Sequence, residues 1–216
     1  SKSTLAMYEL ENKYPDHIFL MMGLHPTSVN KNNYQEELEH VKSQLDKRKF
    51  YAVGEIGIDL YWDRSTLGIQ QEAFHQQIEW AKQHKLPIVI HCRDAFHEVF
   101  EVLEQHKGND LYGIFHCFTG TYEQALKAIS YNMMLGIGGV VTFKNGKIDQ
   151  FLDKIDLKHI VLETDSPYLS PKPYRGKRNE SAFIKYVIEK MAEIHRISKV
   201  ELAKITTENS KRIFKI

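Results

Sequence analysis

An α/β architecture of the TIM (β/α)8-type barrel kind, here with about six strands, is the fold class that three features of this sequence predict. Short apolar runs of strand length alternate with longer amphipathic stretches. Repeated strand–helix units of that kind build a parallel sheet with helices outside it. The apolar runs then end, one after another, in ionisable or imidazole side chains, and a barrel carries its chemistry on the C-terminal ends of many different strands. A doubly wound nucleotide-binding sheet would instead place a glycine-rich turn after its first strand. The glycines of "LGIGGVV" lie inside a strand-like run.

Taken in order, the strand candidates are residues 18–24, 51–58, 87–90, 112–115, 133–140 and 160–162. Between them, amphipathic periodicity predicts helices over residues 34–49, 67–85, 95–106, 122–131 and 148–154. The last third reads as helix alone, over 180–194 and 198–214. "DRSTLGIQQEAF" and "SKVELAKITTENS" open with the Ser, Thr and Asp side chains that cap helix N-termini. No linker or low-complexity tract divides the chain.

Composition narrows the function classes. A net charge of +1 gives no global field for gripping a polyanion, so any such contact must come from a local patch. No apolar run reaches the roughly 20 residues of a membrane helix, and "SKSTLAMYELENKYPDHIF" lacks the pattern of a secretory leader. Two cysteines in 216 residues do not make a disulfide framework. A cytoplasmic location, no membrane contact and no obligate protein partner are the expectations.

The strand ends carry the chemistry. "FLMMGLHP" closes on His25, "YAVGEIGID" carries Glu55 and closes on Asp59, and "IVIHCRD" closes on His91, Arg93 and Asp94. "GIFHCF" closes on His116, and "IVLETDSP" on Glu163 and Asp165. Successive strand side chains point to opposite faces. If His91 and His116 face a common axis, Cys92 and Cys117 face the helices and act as small apolar residues. Glu55, His91, His116 and Asp165 then form a mixed nitrogen–oxygen ligand set suited to zinc, manganese or iron, with magnesium admitted by the carboxylates. Asp59 and Asp94 also suit turn or helix caps. The remaining eight histidines sit in polar stretches and read as surface residues.

The quoted segments "GLHP", "VGEIGID", "PIVIHCRDA", "HCFTG", "IGGVVTFKN", "LETDSPYLSP", "YRGKRNE" and "TTENSKRIF" resemble, in order and spacing, the TatD family of metal-dependent deoxyribonucleases, amidohydrolase-like TIM barrels. The resemblance covers nearly the whole chain. It implies metal ligation by Glu55, His91, His116 and Asp165, with Glu55 bridging two ions and Asp165 also orienting water or acting as general base. The family opens with a strand bearing a His-x-His pair of metal ligands, which this sequence lacks. The expectation is therefore a single metal-dependent hydrolase barrel domain over residues 1–216, incomplete at its N-terminus. Its first two βα units, on the order of 50 residues, would be absent. The divalent metal is expected to be zinc, magnesium or manganese: two ions in the full family site, at most one held well here, with poor catalysis by this chain alone.

On the substrate side, "SPYLSPKPYRGKRNES" holds Lys172, Arg175, Lys177 and Arg178 after the last strand, where barrels often build phosphate sites. Arg93 shares the face parity of His91 and is a further phosphate candidate. His25 is assigned to substrate binding as well. Tyr61 and Trp62 either stack on unpaired bases or pack their own loop down. The reading is metal-assisted hydrolysis of phosphodiester bonds in DNA, single-stranded or at a strand end, with Asp165 and Glu55 catalytic. The resemblance implies a 3′-to-5′ exonuclease. The alternatives are a metal hydrolase of small amides or esters, or a catalytically impaired binding protein.

Overall fold

The computed structural model describes residues 4–216. Among them are seven α-helices: α1 Thr4–Lys13, α2 Tyr34–Lys47, α3 Leu67–His84, α4 Phe96–Gln105, α5 Tyr122–Ser130, α6 Ile184–His195 and α7 Lys199–Phe214. The strands are β1 Val53–Asp59, β2 Ile88–Arg93, β3 Gly113–Phe115, β4 Met133–Ile137 and β5 Ile160–Leu162. Their order in the sheet follows the chain, β1-β2-β3-β4-β5, and the β1–β2 and β4–β5 pairings are parallel. This is the expected α/β class with its parallel sheet. The chain divides into two compact units, one ending at Gly113 and the other starting at Ile114.

In the first unit, β1, α3 and β2 form a strand–helix–strand crossover. Phe74 and Ile78 of α3 are fully buried, as are Ile56 and Ile58 of β1 and Ile88 and Ile90 of β2. Each such side chain removed from water contributes about 1.5–3 kcal/mol. Segment 18–24, expected as a strand, makes only the single bridge Met22–Val53. Its backbone bonds run from Tyr51 N–H to Leu20, Met22 N–H to Ala52 and Gly54 N–H to Met22. Just beyond that bridge, β1 shifts register against β2 between Gly54 and Ile56. Such a bulge bends the strand away from a flat ladder and re-aims the extra side chain, here Glu55.

In the second unit, β4 and β5 pair from Leu135–Ile160 to Ile137–Leu162. A capping box opens α5: Thr121 Oγ1 accepts from Gln124 N–H, while Gln124 Oε1 accepts from Thr121 N–H. Ser198 Oγ accepts from Glu201 N–H at the start of α7, as the sequence predicts. Segment 148–154, expected as a helix, is instead two 3-10 turns, Ile148–Gln150 and Leu152–Lys154. Seven residues are too few to offset α-helix nucleation without a strongly packed face.

Candidate metal centre

Three elements of the first unit bring His25, Glu55 and His91 together. One ligand atom from each lies within 4.8 Å of the others, the one such group among the described residues. His25, expected to touch substrate, thus stands with two of the expected metal ligands. Its Nε2 is 3.6 Å from Glu55 Oε2, and its ring meets that of His91 edge-on at 4.4 Å. Thr27 anchors the other side of the ring, with Oγ1 at 2.7 Å from His25 Nδ1 and its N–H at 3.2 Å from the same atom.

Two buried amides of α3 hold the segments that carry His25 and Glu55. Gln77 Oε1 accepts from Leu24 N–H at 2.6 Å, and its Nε2 donates to Leu24 O at 3.3 Å. Seven residues earlier, on the same helix face, Gln70 clasps the backbone of Asp59 in the same way, at 2.8 and 3.1 Å. Each glutamine stands in for a neighbouring strand where the ladder has run out. Nothing in the sequence signals what they clasp.

Asp59 is 2% exposed, and its carboxylate has two occupations. Oδ2 sits 2.8 Å from His91 Nε2, and Oδ1 accepts from Tyr61 and Trp62 N–H at 3.0 and 3.3 Å. A carboxylate can only accept here, so a neutral His91 carries its proton on Nε2 and its lone pair on Nδ1. This is the carboxylate–histidine arrangement that fixes tautomer and ring orientation in metal sites. Gly57, at φ 136°, allows the close pairing: a Cβ there would fall 2.1 Å from His91 O.

The second unit repeats the device. Glu163 Oε2 lies 2.8 Å from His116 Nδ1, and Oε1 accepts from Cys117 N–H at 3.0 Å. The other ring nitrogen, Nε2, is 3.4 Å from Asp165 Oδ1. Two donors bound tetrahedrally to one ion by bonds of about 2.0–2.1 Å stand about 3.3–3.4 Å apart. The His116–Asp165 separation of 3.4 Å matches that spacing, the His25–Glu55 separation of 3.6 Å is slightly wider, and both are longer than ordinary hydrogen bonds. Sequence reading placed both acids of "ETD" at the strand end; the structure separates them, with Asp165 beside the outward nitrogen and Glu163 behind the ring. The donor set, imidazole and carboxylate, fits a divalent cation.

Other candidates sort as follows. Burial pushes the Cys92 thiol far above its ordinary range, in keeping with a small, mostly apolar role for this side chain. Asp94 lies at φ 53° and α4 has no side-chain cap, so Asp94 marks a turn and does not cap the helix. Arg93 is exposed, with its guanidinium 3.6 Å from the Tyr61 ring centre. Lys172, Arg175, Lys177 and Arg178 are all exposed, and Arg175 stacks 3.7 Å over Phe143. Asn179 shapes that basic loop: it is buried, and its Nδ2 donates to Thr164 O and Tyr168 O, each at 2.6 Å. His75 and His106, read as surface residues, instead bond to each other at 2.7 Å, and His106 is 9% exposed. Both arise from one cause: the α4 C-terminus folds back over α3, which polar sequence context does not reveal. No helix among the described residues is long and apolar enough to cross a membrane.

The family model described as TatD related DNase matches residues 1–215. The chain is 42% identical to the Bacillus subtilis protein named uncharacterized metal-dependent hydrolase YabD, covering 99% of this chain and 83% of that protein. It is 34% identical to uncharacterized metal-dependent hydrolase YcfH of Escherichia coli K12, over 93% of this chain and 75% of that one. Among solved structures, the crystal structure of YjjV, a TatD homologue from Escherichia coli K12, superposes with a TM-score of 0.92 at 27% identity, covering 100% of this chain and 83% of that chain. With its matched length and its carboxylate-backed histidines, the chain belongs to the TatD family of metal-dependent hydrolases.

Proposed function

We propose that this hydrolase cleaves phosphodiester bonds of DNA, acting from a 3′ strand end. The observation that carries the reading is the His25–Glu55–His91 trio with the exposed guanidinium of Arg93 two residues beyond His91. A cation site beside a planar, permanently charged donor suits a phosphate ester. The basic loop of Lys172, Arg175, Lys177 and Arg178 supports the same choice, as does the family's description as a DNase.

A divalent ion, whether zinc, manganese or magnesium, supplies charge that acidifies water and stabilises the developing negative charge on a phosphoryl oxygen. In the first unit, His25, Glu55 and His91 would hold it, and Asp59 keeps the His91 ring turned for the task. In the second unit, His116 and Asp165 would act as ligands, with Glu163 behind His116. In the second unit Asp165 would accept a proton from water as the new P–O bond forms and the scissile P–O bond breaks, and would return a proton to the leaving sugar oxygen, while the basic loop offers phosphate contacts; in the first unit Glu55 would serve as ligand carboxylate and Arg93 as a phosphate contact. Few cationic groups mean few phosphate contacts and a modest salt dependence, which suits repeated release at a strand end.

The test is an end-labelled single-stranded deoxyoligonucleotide, run beside p-nitrophenyl acetate, with manganese-loaded protein. A ladder shortening from the 3′ end, lost by about 10²–10⁴-fold in Asp165→Asn, is expected. Ester turnover with an intact oligonucleotide would overturn the reading in favour of acyl chemistry.

A further inference from the structure

The segment after β1 presents two aromatic side chains to solvent: Tyr61 is 54% exposed and Trp62 is 71% exposed. Their backbone is firmly held. Asp59 Oδ1 accepts both of their N–H groups. Beyond them, Asp63 Oδ1 accepts from Ser65 N–H at 2.8 Å, and Thr66 Oγ1 donates to Asp63 O at 3.0 Å.

The two rings have different surroundings. They meet at a right angle, with centres 4.9 Å apart. The Arg93 guanidinium lies 3.6 Å from the Tyr61 ring centre but 5.7 Å from that of Trp62. Tyr61 therefore already stacks on a cation, whereas the larger Trp62 offers its area to solvent. A guanidinium laid flat on a ring keeps its N–H edges available for an oxyanion. The Asp59 carboxylate that pins this turn also holds His91 at 2.8 Å, so the aromatic corner is tied to the candidate metal ligands by a single buried side chain.

We propose that Trp62 is the stacking surface for one unpaired nucleobase of the substrate strand, and that Tyr61 holds Arg93 in place for the adjoining phosphate. Tyr61 is then a positioning residue, and discrimination between paired and unpaired ends resides in Trp62. The proposal deepens the phosphodiester reading and rests on it.

The experiment uses chelator-stripped protein, so that binding is read without turnover. With Trp80→Phe, Trp62 is the one remaining indole, and its fluorescence reports directly on stacking. A short oligothymidylate should quench it saturably; an abasic strand with the same number of phosphates should bind about 5- to 150-fold more weakly, the range that base–aromatic stacking spans. Trp62→Ala, followed by anisotropy of a labelled oligothymidylate, should show a loss of the same size, and Trp62→Phe should restore most of it. Tyr61→Ala and Arg93→Ala should both lower the salt dependence of binding by about 0.7 in log–log slope, as expected for one phosphate contact on a single strand. Equal affinity for oligothymidylate and the abasic strand, or wild-type affinity in Trp62→Ala, overturns the proposal. Turnover of bis-p-nitrophenyl phosphate by the manganese-loaded wild-type protein tests the underlying reading separately, because that substrate has no base to stack.

Discussion

Asp59 is the side chain on which most of the first unit's site geometry converges. Its two oxygens divide between a ring nitrogen of His91 and the backbone of the Tyr61–Trp62 turn. Replacing it with asparagine keeps an oxygen for the two backbone N–H groups but turns an N–H toward His91 Nε2. The ring must then move its proton or rotate. Asp59→Asn should weaken divalent-metal binding by about 10–100-fold, as loss of a carboxylate behind a ligand histidine does, measured by calorimetric titration of stripped protein. Unchanged affinity would show that Asp59 serves the turn alone. The sequence made Asp59 legible as a strand-end acid and a turn cap, and it is a turn cap. Its hold on His91 was not legible, because the two residues meet only through β-pairing between separate segments. Glu55 shows a related limit: alternation along a strand assigns faces, but the register shift at Glu55 breaks alternation at the residue that matters most.

At the scale of elements, close approaches at the strand ends keep the acids in place. Gly136 of β4 lies against Glu163, and a Cβ there would stand 2.6 Å from Glu163 Oε2 and 3.0 Å from Phe115 O. The backbone oxygen cannot give way easily, so the carboxylate must, and with it the bond to His116. Gly136→Ala should lower stability by about 1–3 kcal/mol, the usual cost of overpacking, seen as a lower urea midpoint with an unchanged slope. It should also weaken metal binding; a loss of stability with full metal affinity would separate packing from ligand orientation and contradict the role given to Glu163. Strand-length apolar runs and the Ser198 cap of α7 were legible because their signals are local, whereas at the other expected cap Thr66 makes no capping bond to α3 and Asp63 holds the 3-10 turn before it instead. Segment 18–24 and segment 148–154 were not legible, since one depends on how far its partner strand continues the ladder and the other on whether neighbours repay nucleation. Nothing in the sequence singles out Gln70 and Gln77, because their grip on Asp59 and Leu24 is tertiary.

At the scale of the whole chain, stability and pH are linked through partly buried imidazoles. Burial lowers His75 and His106 from the ordinary 6.5, with the charged groups around each ring secondary. His159 and His195 are lowered by burial in the same sense. A histidine lowered in the folded state leaves the unfolded chain to bind protons first as pH falls. Stability is therefore held in full above about 6.5, the unfolded value, and is lost as pH falls through the lowered folded values. Urea unfolding between pH 7.5 and 5 should show that decline, and His106→Gln should flatten it; a slope identical to wild type would place the linkage elsewhere. The fold class was legible because it rests on repetition of one strand–helix pattern; Glu55 and His91 were legible as candidate ligands because they lie on strand-length apolar runs, whereas His25 was legible as a strand-end residue but not as their companion. Which acid binds and which one supports a histidine depends on distances of a few tenths of an ångström. The most direct test is turnover of bis-p-nitrophenyl phosphate by stripped protein titrated with manganese, wild type beside Glu55→Gln. The account predicts a rate that rises with manganese and saturates in wild type, and falls by at least about 10²-fold in the variant. Equal metal-dependent rates in the two proteins would contradict it.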